Sequence, residues 1–113
     1  MTVSPRRCHA VALSLVSISV LLTQYASLLR ILELAACLDG DRADHAREVR
    51  RRTVSRIVSV LEDLAATSPS DRNEAREKVK VFETEEARRF LGSERRHAAL
   101  LAAHAQCAVM ETR

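Results

Sequence analysis

The feature that most constrains this chain is an uncharged stretch near its start. Between Arg7 and Arg30 there is no Asp, Glu, Lys or Arg, and residues 10–22 are mostly Ala, Val, Leu and Ile. A run of about 20 such residues is long enough to cross a bilayer, and Arg6-Arg7 before it favours a cytoplasmic amino terminus. The stretch also has the basic start and apolar middle of a signal peptide, and it suits the central helix of a soluble bundle. Its polar residues separate these readings. Ser14, Ser17, Gln24 and Ser27 fall at helical spacing and form one stripe that continues toward Arg30, as on a partly solvated bundle helix. The apolar pattern then runs on through Ile31, Leu32, Leu34, Ala35 and Leu38, which a spanning segment does not need. As a signal peptide it lacks a good cleavage site: Gln24 stands two positions before Ala26, where a small residue belongs. The first reading is therefore a soluble, cytoplasmic bundle helix. A membrane anchor through residues 8–29 is the alternative, and a cleaved signal is third.

The rest of the chain argues for helices. Two Gly and two Pro in 113 residues leave little turn chemistry, and the aromatics are Tyr25, Phe82 and Phe90 alone. Ala, Leu, Arg and Glu dominate, all strong helix formers, and no alternating strand pattern occurs. Ser4-Pro5 suits a helix start, and Asp39-Gly40-Asp41 suits its end, which predicts a first helix over residues 5–38. Ala46, Val49, Thr53, Val54, Ile57, Val58, Leu61, Leu64 and Ala65 make an apolar stripe for a second helix over 41–66. Thr67-Ser68-Pro69-Ser70 reads as a loop, and Asp71 and Glu74 fit the start of a third helix over 70–91 that carries Ala75, Val79, Phe82, Ala87, Phe90 and Leu91. Gly92-Ser93 is a turn or a kink. A last helix over 93–111 follows, with Leu100, Leu101, Ala105, Cys107, Ala108 and Val109 as its apolar residues. The expectation is one all-α domain over residues 1–113, an antiparallel bundle of three long or four shorter helices.

The motifs that carry chemistry are thin. Cys8, Cys37 and Cys107 are an odd, widely spaced set, which reads as reduced thiols packed as small hydrophobes. Glu94 and His97 have the Glu-x-x-His spacing of di-iron bundles, but that chemistry needs two such pairs and further glutamates, with Glu33 and Glu62 as the nearest extras. An up-down bundle would bring Cys8 and His9 toward His104 and Cys107, a donor set suited to tetrahedral zinc; small residues filling a bundle end is the plainer reading. Cys37 and His45 lack the third, orienting group that a nucleophilic site needs. There is no Gly-rich phosphate loop and no nucleophile elbow. The sequence therefore predicts a non-enzymatic protein with no cofactor and no metal.

Net charge is +3. The densest basic segment holds Arg47, Arg50, Arg51, Arg52 and Arg56, interspersed with Asp44, Glu48, Glu62 and Asp63. Basic side chains can meet phosphates, but no aromatic is interleaved to stack bases. A solvated face or an acidic protein partner is favoured over nucleic acid. Arg47, Arg50, Arg51 and Arg52, with Leu100 and Leu101 on the last helix, are the candidate partner-binding residues. The first helix is apolar on more of its circumference than one neighbour covers, which predicts a homo-oligomer or a bound client.

From Tyr25 the residues read Y-A-S-L-L-R-I-L-E-L-A-A-C-L-D-G-D, and an Arg-bearing helix follows that ends S-R-I-V-S-V-L-E-D-L. A Leu-rich helix, a short Gly-Asp break and an Arg-bearing helix in this order resemble the small helical chaperones of bacterial flagellar and type III export. The resemblance covers about half of the chain. It implies a cytoplasmic antiparallel bundle that holds one secreted subunit before export, and it assigns no individual binding residue.

Overall fold

Ser17 sets where the first of the described helices starts. Its backbone is extended (φ −77°, ψ 158°) and its hydroxyl accepts from the Val20 N–H at 3.2 Å, so it caps helix α1, Ile18–Ala36. The computed structural model describes residues 17–37 and 43–112. Helix α1 thus begins inside the uncharged stretch, and the non-helical backbone of Ser17 corrects the expectation of a helix running unbroken through that residue over 5–38. A serine hydroxyl offers the backbone a local cap in place of a further turn. The expected start at Ser4-Pro5 and stop at Asp39-Gly40-Asp41, like Ser14, lie outside the described residues.

Four more helices follow: α2 (Ala43–Ala66), α3 (Arg72–Glu83), α4 (Glu85–Leu91) and α5 (Ser93–Glu111). The described residues contain no strand, and the fold is an all-α bundle. The helix expected over 70–91 is two helices. Thr84 is extended (φ −72°, ψ 153°) and its Oγ1 accepts from the Ala87 N–H at 3.2 Å, capping α4 with Glu85 and Glu86 in the first turn. Gly92 is a break and not a kink. At φ 87° and ψ 159° it ends α4 and begins α5, and a Cβ there would meet nothing within 4 Å. The backbone angle alone, one that L-residues rarely adopt, makes glycine the fitting residue. These two breaks give five helices in the described residues where three or four were expected.

The helices pair as two hairpins. α1 packs along α2, α3 packs along α5, and α4 touches α2, α3 and α5 between them. Arg72 Nε donates to the Met110 carbonyl at 3.2 Å and Arg76 pairs with Glu111 at 3.3 Å. The start of α3 thus meets the end of α5. One core joins both hairpins: Ile18, Leu21 and Leu28 from α1, Ile57, Val60, Leu61 and Leu64 from α2, and Val79, Phe82, Ala87, Leu91, Ala99 and Ala103 from the rest. Each large aliphatic side chain taken from water contributes about 2 kcal/mol, so the α1–α2 contact is the larger apolar term. The α2 stripe lies where its period placed it.

The face of α5 is not the expected one. It buries Ala99 and Ala103 and half-buries Leu100, Gln106 and Cys107, and it leaves Ala105, Ala108, Leu101 (57% exposed) and Val109 (52%) outside. α5 is apolar nearly all round, so period alone does not select a face. Alanines turn inward because α3 brings long side chains to meet them.

One of those is Lys78, which is fully buried. Its Nζ donates to the Ala65 carbonyl (3.1 Å), the Thr67 carbonyl (2.8 Å) and Gln106 Oε1 (2.9 Å). The ammonium thus satisfies carbonyls at the end of α2, where a cation also suits the helix dipole, and ties that end to α5. Burial pushes its pKa below the ordinary lysine value. Three acceptors with no donor of their own favour the charged form and work against that push. One turn earlier, the buried Glu74 carboxylate accepts from the Ser70 N–H (2.9 Å) and hydroxyl (2.8 Å), while its own N–H donates to Asp71 Oδ1 (2.8 Å). This reciprocal cap fixes the start of α3. The Ser19 hydroxyl, 3.4 Å from Glu74 Oε2, ties it to α1.

Candidate binding cleft

Among the described residues the metal and catalytic candidates do not come together. Among the described residues no three His, Cys, Asp or Glu side chains gather to hold a metal ion. Cys8 and His9 lie outside the described residues. His104 Nε2 is 3.8 Å from Glu83 Oε1, and Cys107 Sγ is 3.9 Å from Glu111 Oε1, so the two face different carboxylates. Glu94 and His97 are exposed, and Glu62 is engaged by Arg95 at 3.1 Å. Cys37 is exposed and its Sγ donates to the Glu33 carbonyl at 3.5 Å; His45 is also exposed.

The arginines of α2 do not act as one patch. Successive helical residues are turned by about 100°, and Arg51 and Arg52 swing back onto Glu48 at 2.8 and 2.9 Å. Both guanidiniums hold the Glu48 carboxyl below its ordinary range by hydrogen bonding. Arg47 is exposed and takes part in no ion pair among the described residues. Arg50 points elsewhere, into a cleft of about 470 Å³ where three helices meet. Leu32, Glu33 and Ala36 of α1, Arg50 and Val54 of α2, and Arg89 and Phe90 of α4 line it. The Arg89 guanidinium lies 5.8 Å from the centroid of the Phe90 ring, within cation–π range. Neither Arg50 nor Arg89 takes part in an ion pair among the described residues, although Glu33 shares the cleft.

The break at Thr84 builds this cleft. It re-phases every residue after it, so Arg89 and Phe90 turn toward α1 and α2 instead of continuing the α3 stripe. Reading 70–91 as one helix puts Phe90 in the apolar stripe, and it does pack against the core while its ring also lines the cleft, but that reading leaves Arg89 unassigned. The signal available was Thr84-Glu85-Glu86, a capping residue followed by two acids.

A second apolar surface lies close by. Ile31, Leu34, Ala35, Cys37 and Val49 line a depression at the end of α1, with Ile31 and Leu34 well exposed. Leu101 stands on the outer face of α5, while its expected companion Leu100 packs against the core. The two therefore do not present one surface. Ser17, Gln24 and Ser27 are exposed, so the polar stripe of α1 does face outward. Tyr25 is buried with its hydroxyl toward Thr84, but it completes no hydrogen bond, and burial pushes its pKa up.

Comparison of the chain with known protein families, with characterised proteins and with solved structures finds no match.

Proposed function

We propose that this chain is a non-enzymatic protein-binding bundle, in its most concrete form a cytoplasmic chaperone that holds a secreted or flagellar subunit before export. The observation that carries the reading is where large apolar side chains remain outside the core. Val20, Ile31 and Leu34 on α1 and Leu101 and Val109 on α5 are between 44% and 59% exposed. Side chains of this kind, on more than one helix, suit partner contacts. A second copy of the chain would cover the same residues, so self-association belongs to the reading. Photo-crosslinking amino acids at Ile31 and Leu101 in the native cells test it, with exposed Arg56 as control. One dominant protein partner is expected from the apolar positions and not from Arg56. Equal labelling at all three positions, or none, removes the reading.

A second reading has its own support. α1 is 19 residues long, its most apolar window has a mean hydropathy of 1.4, and 28% of that window is buried. Those values suit a membrane span by length and composition. Against it, α1 carries Arg30 and Glu33, and insertion would take Ile18, Leu21 and Leu28 out of the core. Alkaline extraction of cell membranes separates the two: retention in the pellet supports the anchor, release supports the bundle.

A further inference from the structure

We infer that the cleft between α1, α2 and α4 takes an acidic–apolar segment of a partner polypeptide, its carboxylate on Arg50 and Arg89 and its neighbouring side chain on the apolar floor. The inference rests on the protein-binding reading above and names the chemistry of the partner. Three observations carry it. Arg51, Arg52, Arg76, Arg88 and Arg95 each have a carboxylate partner within the protein. Among the described residues the two arginines at the cleft have none, as Arg30, Arg47, Arg56 and Arg96 also have none; what sets Arg50 and Arg89 apart is that they line one space together, bordered by the Glu33 carboxylate. The cleft therefore carries a net positive charge, and two guanidiniums can receive one carboxylate through charge-assisted, forked hydrogen bonds.

Second, the floor between them is apolar: Leu32, Ala36, Val54 and the Phe90 ring. Its volume of about 470 Å³ lies within the range of about 300–1,000 Å³ typical of ligand sites. It leaves room for a large side chain beside the carboxylate. Third, α1 carries a second, separate apolar depression, lined by Ile31, Leu34, Ala35, Cys37 and Val49. Ile31 and Leu34 are exposed on a different side of the helix from Leu32 and Ala36, and one small acid would not cover both depressions. A polypeptide segment with apolar residues on either side of its acid uses both surfaces, as in helix-in-groove recognition.

The test uses the full chain and a phage-displayed library of random dodecapeptides. Enriched peptides are expected to carry Asp or Glu within four positions of Leu, Ile or Phe. Their affinity should fall about tenfold for Arg50→Gln and for Arg89→Gln, and should weaken as salt is raised. Arg56→Gln, exposed and outside the cleft, is the control and should bind as the unchanged protein does. Both cleft arginines are exposed, and an unchanged helical circular dichroism spectrum checks that the variants fold. Enriched peptides without acids, peptides that bind the double variant equally well, or no enrichment over the denatured chain would each overturn the inference. So would sodium octanoate displacing the peptides and binding as tightly, which would assign the cleft to a free amphipathic acid. If any of these occurs while crosslinking from Ile31 or Leu101 still captures one partner, the cleft assignment fails and the protein-binding reading stands.

Discussion

In the first hairpin α1 and α2 meet through Ile18, Leu21, Leu28, Ile57, Leu61 and Leu64. In the second, α5 buries only Ala99 and Ala103, and α3 reaches across with Phe82 and Lys78. Aliphatic contact is non-directional: a smaller side chain costs its own transfer share plus the cavity that its neighbours do not fill. The Lys78 ammonium works differently. It has three acceptors at 2.8–3.1 Å on two other segments, and removing it strands all three together. One hairpin is held by area and the other by a polar staple set in a small-residue interface.

The comparison breaks most directly at Lys78. Lys78→Met keeps most of the volume and removes the staple, leaving the Ala65 and Thr67 carbonyls and Gln106 Oε1 without their donor. A loss of about 3 kcal/mol is expected, read as a lower urea midpoint. In the first hairpin Ile57→Val should cost about 1 kcal/mol. If the methionine variant equals the unchanged protein, the second hairpin is held by packing alone and the contrast between hairpins disappears.

A pair of substitutions on α5 sharpens the contrast. Leu100 packs against the core and Leu101 is exposed, so Leu100→Asp should cost about 2 kcal/mol by placing a carboxylate at a half-buried site. Leu101→Asp should stay within about 0.5 kcal/mol. Thermal unfolding followed by circular dichroism compares them. Equal losses would mean that α5 packs on the face the structure leaves open.

How much of this was legible in the sequence follows the same division. The α2 stripe could be read because Ile57, Leu61 and Leu64 stand among polar residues, so period and burial point to one face. The second hairpin could not be read that way. Residues 98–110 are Ala, Leu, Val, Cys and Met apart from His104 and Gln106, so each face of α5 is a candidate core. Lys78 falls in the buried stripe by period, three residues after Ala75 and four before Phe82, and only its charge argued for the surface. The cleft went unread for a related reason. Arg50 reads in the sequence as one of a basic run, while its neighbours in the cleft, Arg89 and Phe90, depend on a helix break at Thr84 that apolar period does not report.

The two hairpins also differ in how they should respond to alkali. Burial lowers the Lys78 pKa from its ordinary 10.5. Between the folded value and 10.5 the unfolded chain holds the proton more tightly, so stability should rise with pH across that window. Tyr25, at the α1 side, has the opposite sign. Its pKa is raised above 10.0 by burial, so above pH 10.0 the unfolded chain loses its proton first and stability should fall. Urea midpoints measured from neutral pH upward should therefore rise in Tyr25→Phe and fall in Lys78→Met. The same slope in both variants would mean that neither group carries the effect.

A small change is also expected from the substitution that isolates Tyr25 at neutral pH. Its hydroxyl is buried and unpartnered. It lies toward Thr84, whose Oγ1 already donates to the Val81 carbonyl at 2.6 Å and accepts from the Ala87 N–H at 3.2 Å. A buried hydroxyl without a partner loses its water and gains nothing in return, at a cost of about 1–3 kcal/mol relative to a satisfied one. Tyr25→Phe keeps the ring in the α1 face of the core and removes that cost, so it should leave stability unchanged or raise it by up to about 1 kcal/mol. Thr84→Val is the companion test, because it removes the cap of α4 and should cost about 1 kcal/mol. A clear loss on Tyr25→Phe, absent in the Thr84→Val background, would show that the two hydroxyls do bond. The α1 side would then have a polar tie of its own, and the distinction between an aliphatic hairpin and a stapled one would narrow to Lys78 alone.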